Sequence, residues 1–483
     1  MSVAVHPLRR TVPEYDQPGD SHWRVTRPGP LLAVNGYLDR TTVMPGDAVQ
    51  LFAASTNAAI RADVFRMGWY AGKLARRVAG FERVIVPRPS EPALDPATRT
   101  ITAGWSPVLR FGTGGWTPGA YLIRLRCDDG ERHVPFILTS PRTLGAPVVV
   151  HSTATWQAYN TWGGYSLYQG PGGPADYDNR AYVVSFARPF DGNGAQRFLD
   201  SELGVVALIE RLRLPVAHTT SEQLDLDPQR LDGATAVISL GHDEYWTPTM
   251  RERVTTARDR GVNVAFLGAN ACFRRIRLER SRPTGDRDVV CYKTDYQLDP
   301  DYGVDNAAVT NDYREPPDPD PECTLTGTYY EAYPTSASYT VYSPDSWLFG
   351  DVKVETGEEF PGLIGPEYDR VNPVVPLPRP MQVLSHSRLT CKGIHSFSDS
   401  AYYTRPSGAG VFNAGTMSWV HGLAGSQGQL SRRTTRLVTA VTSRLLTEFA
   451  KGPALERGLE AHDNLDAVHP WVGDPTYLRH NLW

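Results

Sequence analysis

One stretch constrains this chain more than any other: an apolar run that ends in three adjacent polar groups and then a helix start. Ala236, Val237, Ile238, Ser239 and Leu240 read as a short strand covered on both faces, and Gly241 stops it. His242, Asp243 and Glu244 follow directly. After Tyr245 and Trp246 come Thr247 and Pro248, a ready N-cap and a residue suited to the first helical position. Open α/β sheets present their chemistry in this order, at the carboxyl ends of their strands. An extended backbone through the triplet puts His242 and Glu244 on one side and Asp243 on the other. A histidine and a carboxylate so placed suit a metal or a proton-transfer site. The plainer alternative is that Asp243 and Glu244 only favour the positive end of the following helix.

A chain of 483 residues is too long for one core, so two or three domains are expected. Residues 1–22 are polar and without periodicity, and read as an arm. Residues 23–142 carry short β runs, at 48–53, 61–65, 120–125 and 133–138, broken by turns and free of helical spacing. That pattern predicts an all-β domain, a β-sandwich of immunoglobulin-like type. The glycines at 112–119 have no helix after them and make no nucleotide fingerprint. From residue 143 the rhythm changes. Strand candidates at 147–150, 215–217, 236–240 and 262–267 alternate with helical spacing over 197–213 and 248–260. This predicts an α/β domain, 143–483, built on a doubly wound parallel sheet. Residues 274–380, with Pro316, Pro317, Pro319 and Pro321 in an acidic run, read as an insertion over one end of that sheet. Alternation is expected to resume at 382–384, with a late strand at 410–414 and an amphipathic closing helix over 437–449.

Composition narrows the function. A net charge of −4 gives no ground for nucleic-acid or anionic-membrane binding. The opening decapeptide lacks the apolar core of a signal peptide, and no apolar run is long enough to span a bilayer. The five cysteines are odd in number and scattered, with no Cys-x-x-Cys. A cytoplasmic chain with reduced thiols is therefore the expectation. A glycine elbow at 266–272 puts Asn270 where amidotransferase-like folds carry a nucleophilic cysteine. Cys272, two positions on, reads as a buried structural thiol. No Gly-x-Ser-x-Gly elbow and no phosphate loop occur.

A second dense stretch, 155–168, holds Trp156, Tyr159, Trp162, Tyr165 and Tyr168 directly after the first strand of the α/β domain. It faces the same crevice as His242 and Glu244. Its aromatic rings can pack against the sandwich, or they can supply a phenolate. A tyrosine titrates near pH 10, and a bound trivalent cation would remove its proton.

Four motifs, taken jointly and in order, resemble the N,N-dimethylformamidase large (beta) subunit family. They are Phe65-Arg66-Met67-Gly68-Trp69-Tyr70-Ala71-Gly72, Arg188-Pro189-Phe190-Asp191-Gly192, Ser239-Leu240-Gly241-His242-Asp243-Glu244-Tyr245-Trp246 and Phe412-Asn413-Ala414-Gly415-Thr416-Met417-Ser418-Trp419. The resemblance runs from about residue 30 to the end. It implies an immunoglobulin-like domain followed by an amidotransferase-like α/β domain. It also implies a mononuclear ferric site, Fe(3+), held by two tyrosinates and a glutamate. Glu244 matches the glutamate, with His242 beside it to carry a proton to the leaving amine. Tyr159 is expected as one tyrosinate, with Tyr165 as its competitor. Tyr121 is carried over as the other, against the bland alternative of plain sandwich core. Trp156, Trp162 and Trp246 are expected to wall a small dry pocket. The implied activity is hydrolysis of the C–N bond of a small or natural-product amide. Two alternatives stand beside it: other iron-dependent C–N chemistry, including oxidative chemistry, and a non-catalytic binding module on the same scaffold. The family's large subunit carries a further lectin-like N-terminal domain and works with a small partner subunit. Here only the arm precedes the first β run, and a homo-oligomer or a small partner subunit is the expected assembly.

Overall fold

Residues 48–55 show how the first half folds. Val49, Leu51 and Ala53 are fully buried while Gln50 and Phe52 between them are half-buried, the period-two pattern of a strand with one face in a core. The computed structural model describes residues 13–280, 287–350, 352–423 and 430–469. Ala48–Ser55 lies between Val34–Leu38 and Pro107–Gly112 in a three-stranded antiparallel sheet. A second sheet of five strands runs in the order Thr42–Val43, Glu131–Leu138, Gly119–Arg126, Ala59–Met67, Ala75–Ile85. Val34, Val49 and Leu51 from the first sheet share one apolar cluster with Val64, Ile123 and Phe136 from the second. The arm beyond residue 12 is tied to this unit: Arg76 grips the Glu14 carboxylate with two bonds of 2.8 Å. The part of the arm at 1–12 lies outside the described residues.

Tyr121 belongs to this core. Its ring stacks between Trp116 and Phe136, at centroid distances of 5.4 and 5.0 Å, and its hydroxyl donates to the Thr117 carbonyl at 2.6 Å. The phenol is thereby spent inside the sandwich and is not brought to Glu244. The expectation of Tyr121 as a metal ligand is corrected accordingly.

His133, on the neighbouring strand, is buried with Nε2 2.7 Å from the Trp23 carbonyl. Burial pushes its pKa down to about 4. A depressed base gives stability that is full above the unfolded value near 6.5 and drains as pH falls toward 4. Denaturant titrations of the wild type should therefore show a loss of about 2–3 kcal/mol between pH 7 and pH 4.5 from this group. His133→Gln should lack that loss.

The sandwich is latched to the second half by the first of the four motifs. Arg66 Nη1 meets Glu210 Oε1 at 2.5 Å, with both side chains buried, and the Trp69 amide donates to Glu210 Oε2 at 3.1 Å. A Cβ on Gly68 would stand 1.8 Å from that same oxygen. Only glycine leaves room for the carboxylate.

The second half is organised on a seven-stranded sheet in the order Ala217–Thr220, Pro147–His151, Ala236–Ser239, Asn263–Phe266, Gly410–Asn413, Ile394–Thr404, Met381–Cys391. The first five are parallel. The last two form an antiparallel hairpin instead of the strand-helix alternation expected at 382–384. Lys392 (φ +50°) and Gly393 (φ +80°) explain it, since both central residues of a tight hairpin turn take positive φ. The helix expected over 197–213 is broken into Gln196–Ser201 and Leu203–Arg211. Glu202 sits at the break and turns its carboxylate inward. The closing helix, Arg432–Phe449, starts earlier than expected, capped by the Ser431 hydroxyl accepting from the Thr434 amide. It buries the stripe Leu437, Val438, Val441, Leu445, Leu446 and Phe449. The 274–380 insertion holds short two- and three-stranded sheets. Among the described residues, no helix is long and apolar enough to cross a membrane.

Strand Pro147–His151 comes first in sequence. The next strand, Ala217–Thr220, lies on one side of it, and Ala236–Ser239 lies on the other. The order reverses there, which opens a crevice beyond the carboxyl ends of Pro147–His151 and Ala236–Ser239.

Candidate active site

Both sides of that crevice contribute. From the first strand, the chain enters helix Thr153–Ala158, which delivers Tyr159 at its end. Gly163 (φ +80°) and Gly164 (φ +92°) then turn the chain back, so Tyr168 returns to Tyr159 and stacks on it at 4.5 Å. The second motif moulds this loop. Buried Arg188 donates to the carbonyls of Asn160, Trp162 and Tyr165 at 2.8–3.0 Å, and Asp191 accepts from the Thr161 amide at 2.8 Å.

From the other strand comes the polar triplet. Thr155 Oγ1 accepts from the amides of Glu244 and Tyr245, which pins the triplet to the helix opposite. Asp243 turns away and accepts from Ser239 Oγ at 2.9 Å. Burial pushes its pKa up to about 7. His242 and Glu244 turn together into the crevice. Gly241 has φ +59°, and a Cβ on Gly268 at the end of the next strand would come within 2.1 Å of the Gly241 carbonyl oxygen. The two turns therefore touch backbone to backbone.

At the centre, the Tyr159 hydroxyl donates to Glu244 Oε2 at 2.6 Å and the Tyr168 hydroxyl to Oε1 at 2.7 Å. The two phenolic oxygens are 3.0 Å apart. Arg274 Nε meets Oε1 at 3.2 Å and pairs in turn with Asp312. His242 Nε2 lies 3.4 Å from Glu244 Oε2 and 3.6 Å from Glu367 Oε2. Asn270 (φ +58°) holds Glu367 through an Nδ2 bond of 2.7 Å. Lys293 is wholly buried, with Nζ 3.1 Å from the centroid of the Tyr168 ring. Exposed Arg197 covers the Tyr159 ring from outside at 4.3 Å.

The electrostatics follow from burial and from these neighbours. Burial, then the charge of Glu244, holds both phenols well above the ordinary tyrosine range. Burial alone would raise Glu244, but His242, Arg274 and Lys293 outweigh it and hold the carboxyl below its usual value. Burial opposes a charge on His242, yet Glu367 and Glu244 prevail and raise its pKa. Burial raises Glu367, with Glu244 adding to the effect. Burial, then Arg274, lowers Lys293 far below an ordinary lysine.

The structure thus brings Tyr159, Glu244 and His242 together and adds Tyr168, Lys293 and Glu367, which sequence reasoning did not single out. Tyr165 has no hydrogen bond to the carboxylate among the described residues; it packs between the Trp162 cluster and the one that Tyr159 and Tyr168 share. Trp156, Trp162 and Trp246 do not wall one pocket. They belong to three separate clusters, and the indoles of Trp156 and Trp246 donate to Glu202 and to the Asp243 carbonyl. Cys272 is buried, with its thiol pushed up to about 12 by desolvation, which leaves it inert as a nucleophile.

Residues 61–432 match the family model for the C-terminal part of N,N-dimethylformamidase beta subunit-like proteins. The chain belongs to that family. A search of curated proteins finds no match. For a dimethylformamidase-like chain, amide hydrolysis is the activity indicated at the family level. The fourth motif serves the same crevice: Asn413 Nδ2 donates to Thr328 Oγ1, which donates to Asp369, two residues from Glu367. In this dimethylformamidase-like chain three of the four motifs form the site or brace a segment that does, while the first latches the sandwich to helix Leu203–Arg211.

Proposed function

We propose that the protein is an iron-dependent amide hydrolase acting on a small or natural-product amide. The observation that carries this reading is the convergence of two half-buried phenols on one buried carboxylate, each phenolic oxygen within 3.0 Å of the other and of a Glu244 oxygen. The donor set fits the metal. Three hard oxygens suit a hard trivalent ion, and two phenolates with a carboxylate offset its charge. Tyr159, Tyr168 and Glu244 would hold it. When bound, ferric ion polarises an amide carbonyl and acidifies a water.

The remaining work falls to side chains of this chain. His242, raised in pKa between two carboxylates, keeps a proton on Nε2 and hands it to the departing amine nitrogen. Glu367, held by Asn270, faces the same imidazole and returns its proton. Lys293, whose hold on its proton is weakened by burial and by Arg274, stands over the Tyr168 ring as a group that can exchange a proton there. Arg274 balances Glu244 and keeps it ionised. The kinship of the sandwich to immunoglobulin domains and of the main sheet to amidotransferases is part of this reading, as is a partner subunit.

Metal analysis and a visible spectrum test it. Protein loaded with iron should absorb in the visible through tyrosinate-to-iron charge transfer. Tyr168→Phe and Tyr159→Phe should each shift or bleach that band, while Tyr121→Phe and Tyr165→Phe keep it. Turnover of an amide should proceed without oxygen. Oxygen-dependent turnover would favour oxidative C–N chemistry, and a colourless, metal-free, fully active protein would end the proposal.

A further inference from the structure

Away from Glu244, the long hairpin and the residue after helix Leu465–Val468 bring together His386, Asp399 and His469. His386 Nδ1 lies 2.7 Å from Asp399 Oδ1, and His469 Nε2 lies 3.3 Å from Asp399 Oδ2. The three donor atoms all fall within 4.8 Å of one another. Asp399 and His469 are fully buried, whereas the His386 side chain is 23% exposed, so one edge of the cluster faces solvent. The imidazole planes are near perpendicular, at 83° and 5.1 Å between centroids, and Phe397 packs on both. The Val371 amide donates to Asp399 Oδ2 at 2.8 Å and fixes the carboxylate plane.

We propose that His386, Asp399 and His469 form a second metal site, for a divalent transition ion of the zinc class. Bonds of about 2.0–2.2 Å to nitrogen and oxygen set ligand atoms roughly 3–3.5 Å apart around such an ion. The observed 3.3 Å between His469 and Asp399 falls in that range and the 2.7 Å between His386 and Asp399 just short of it, so a small turn of the exposed His386 ring opens the cluster to the ion. The ion replaces the imidazole proton that otherwise bridges His386 to Asp399, and that proton leaves to solvent. Two histidines and one carboxylate leave further positions for water. The location gives the site a structural consequence. Val371 ends the segment that begins at Glu367, beside His242. An ion on Asp399 therefore ties His469 and the hairpin to the segment that follows Glu367.

The test is cobalt and zinc uptake by metal-stripped full-length protein, compared among wild type, Glu244→Gln and His386→Gln. Glu244→Gln removes the proposed ferric site, so its remaining uptake reports this cluster alone. It should bind one equivalent of Co²⁺ per chain with two histidine ring protons paramagnetically shifted, and Zn²⁺ should raise its unfolding midpoint. His386→Gln should bind that equivalent at least tenfold more weakly and show no such rise. Equal uptake by wild type and His386→Gln, or no uptake and no shifted histidine signals in Glu244→Gln, would overturn the proposal. Loss of iron from Glu244→Gln with cobalt binding retained would support both sites separately.

Discussion

Glu244→Gln should remove turnover by a factor on the order of 10³ or more, together with metal content and visible colour. The substitution keeps the shape but removes the charge that a trivalent ion needs, and only its amide oxygen can still accept from a phenol, where Glu244 accepts from two. The fold should survive, because Arg274 keeps its pairing with Asp312 and the Glu244 amide stays on Thr155. His242→Gln makes the informative contrast. It should retain metal and colour, since His242 faces Glu244 from 3.4 Å without belonging to the oxygen triad, and should lose rate instead. Colour lost from both variants alike would remove the distinction between holding the metal and moving the proton. Metal analysis, the visible spectrum and single-turnover rates on the same preparations check it.

The second large effect is on stability. Arg66→Met should cost about 3–5 kcal/mol, because it leaves Glu210 buried and unpaired between the two halves. Burial already pushes Glu210 up, with Arg66 the main opposing influence. Removing both charges in Arg66→Met/Glu210→Met should recover most of the loss, as replacing a whole buried pair often does. Denaturant unfolding of the single and double variants measures this. A single variant as stable as wild type would show that the latch contributes nothing.

Much of this was readable from residues alone, for identifiable reasons. Residues 236–248 announced strand, turn and helix because each signal there is local: an apolar run, a glycine, a Thr-Pro cap. The side on which His242 and Glu244 fall follows from backbone alternation. Tyr168 was in plain view but carried no local mark. What sets it on Glu244 is the reversal at Gly163 and Gly164, and Arg188 reading three carbonyls of the loop from 20 or more residues away. Tyr121 misled for the converse reason. A tyrosine in a sandwich strand looks the same in sequence whether its hydroxyl meets a metal or a carbonyl four residues upstream. The break at Glu202 was equally hidden. Apolar spacing continues through it, and only the partners of its carboxylate, His151, Ser152 and Trp156, show why the helix stops. Lys293 and Glu367 come from the insertion, where irregular backbone gives periodicity nothing to work on.

The contact between Gly241 and Gly268 has a mechanical consequence. With no side chain to cushion them, the two turns mesh like gear teeth. A push on the histidine-bearing turn is passed to the one that positions Asn270, and through it to Glu367. A bulkier residue at position 268 would disengage them, leaving each of the two turns intact but out of step.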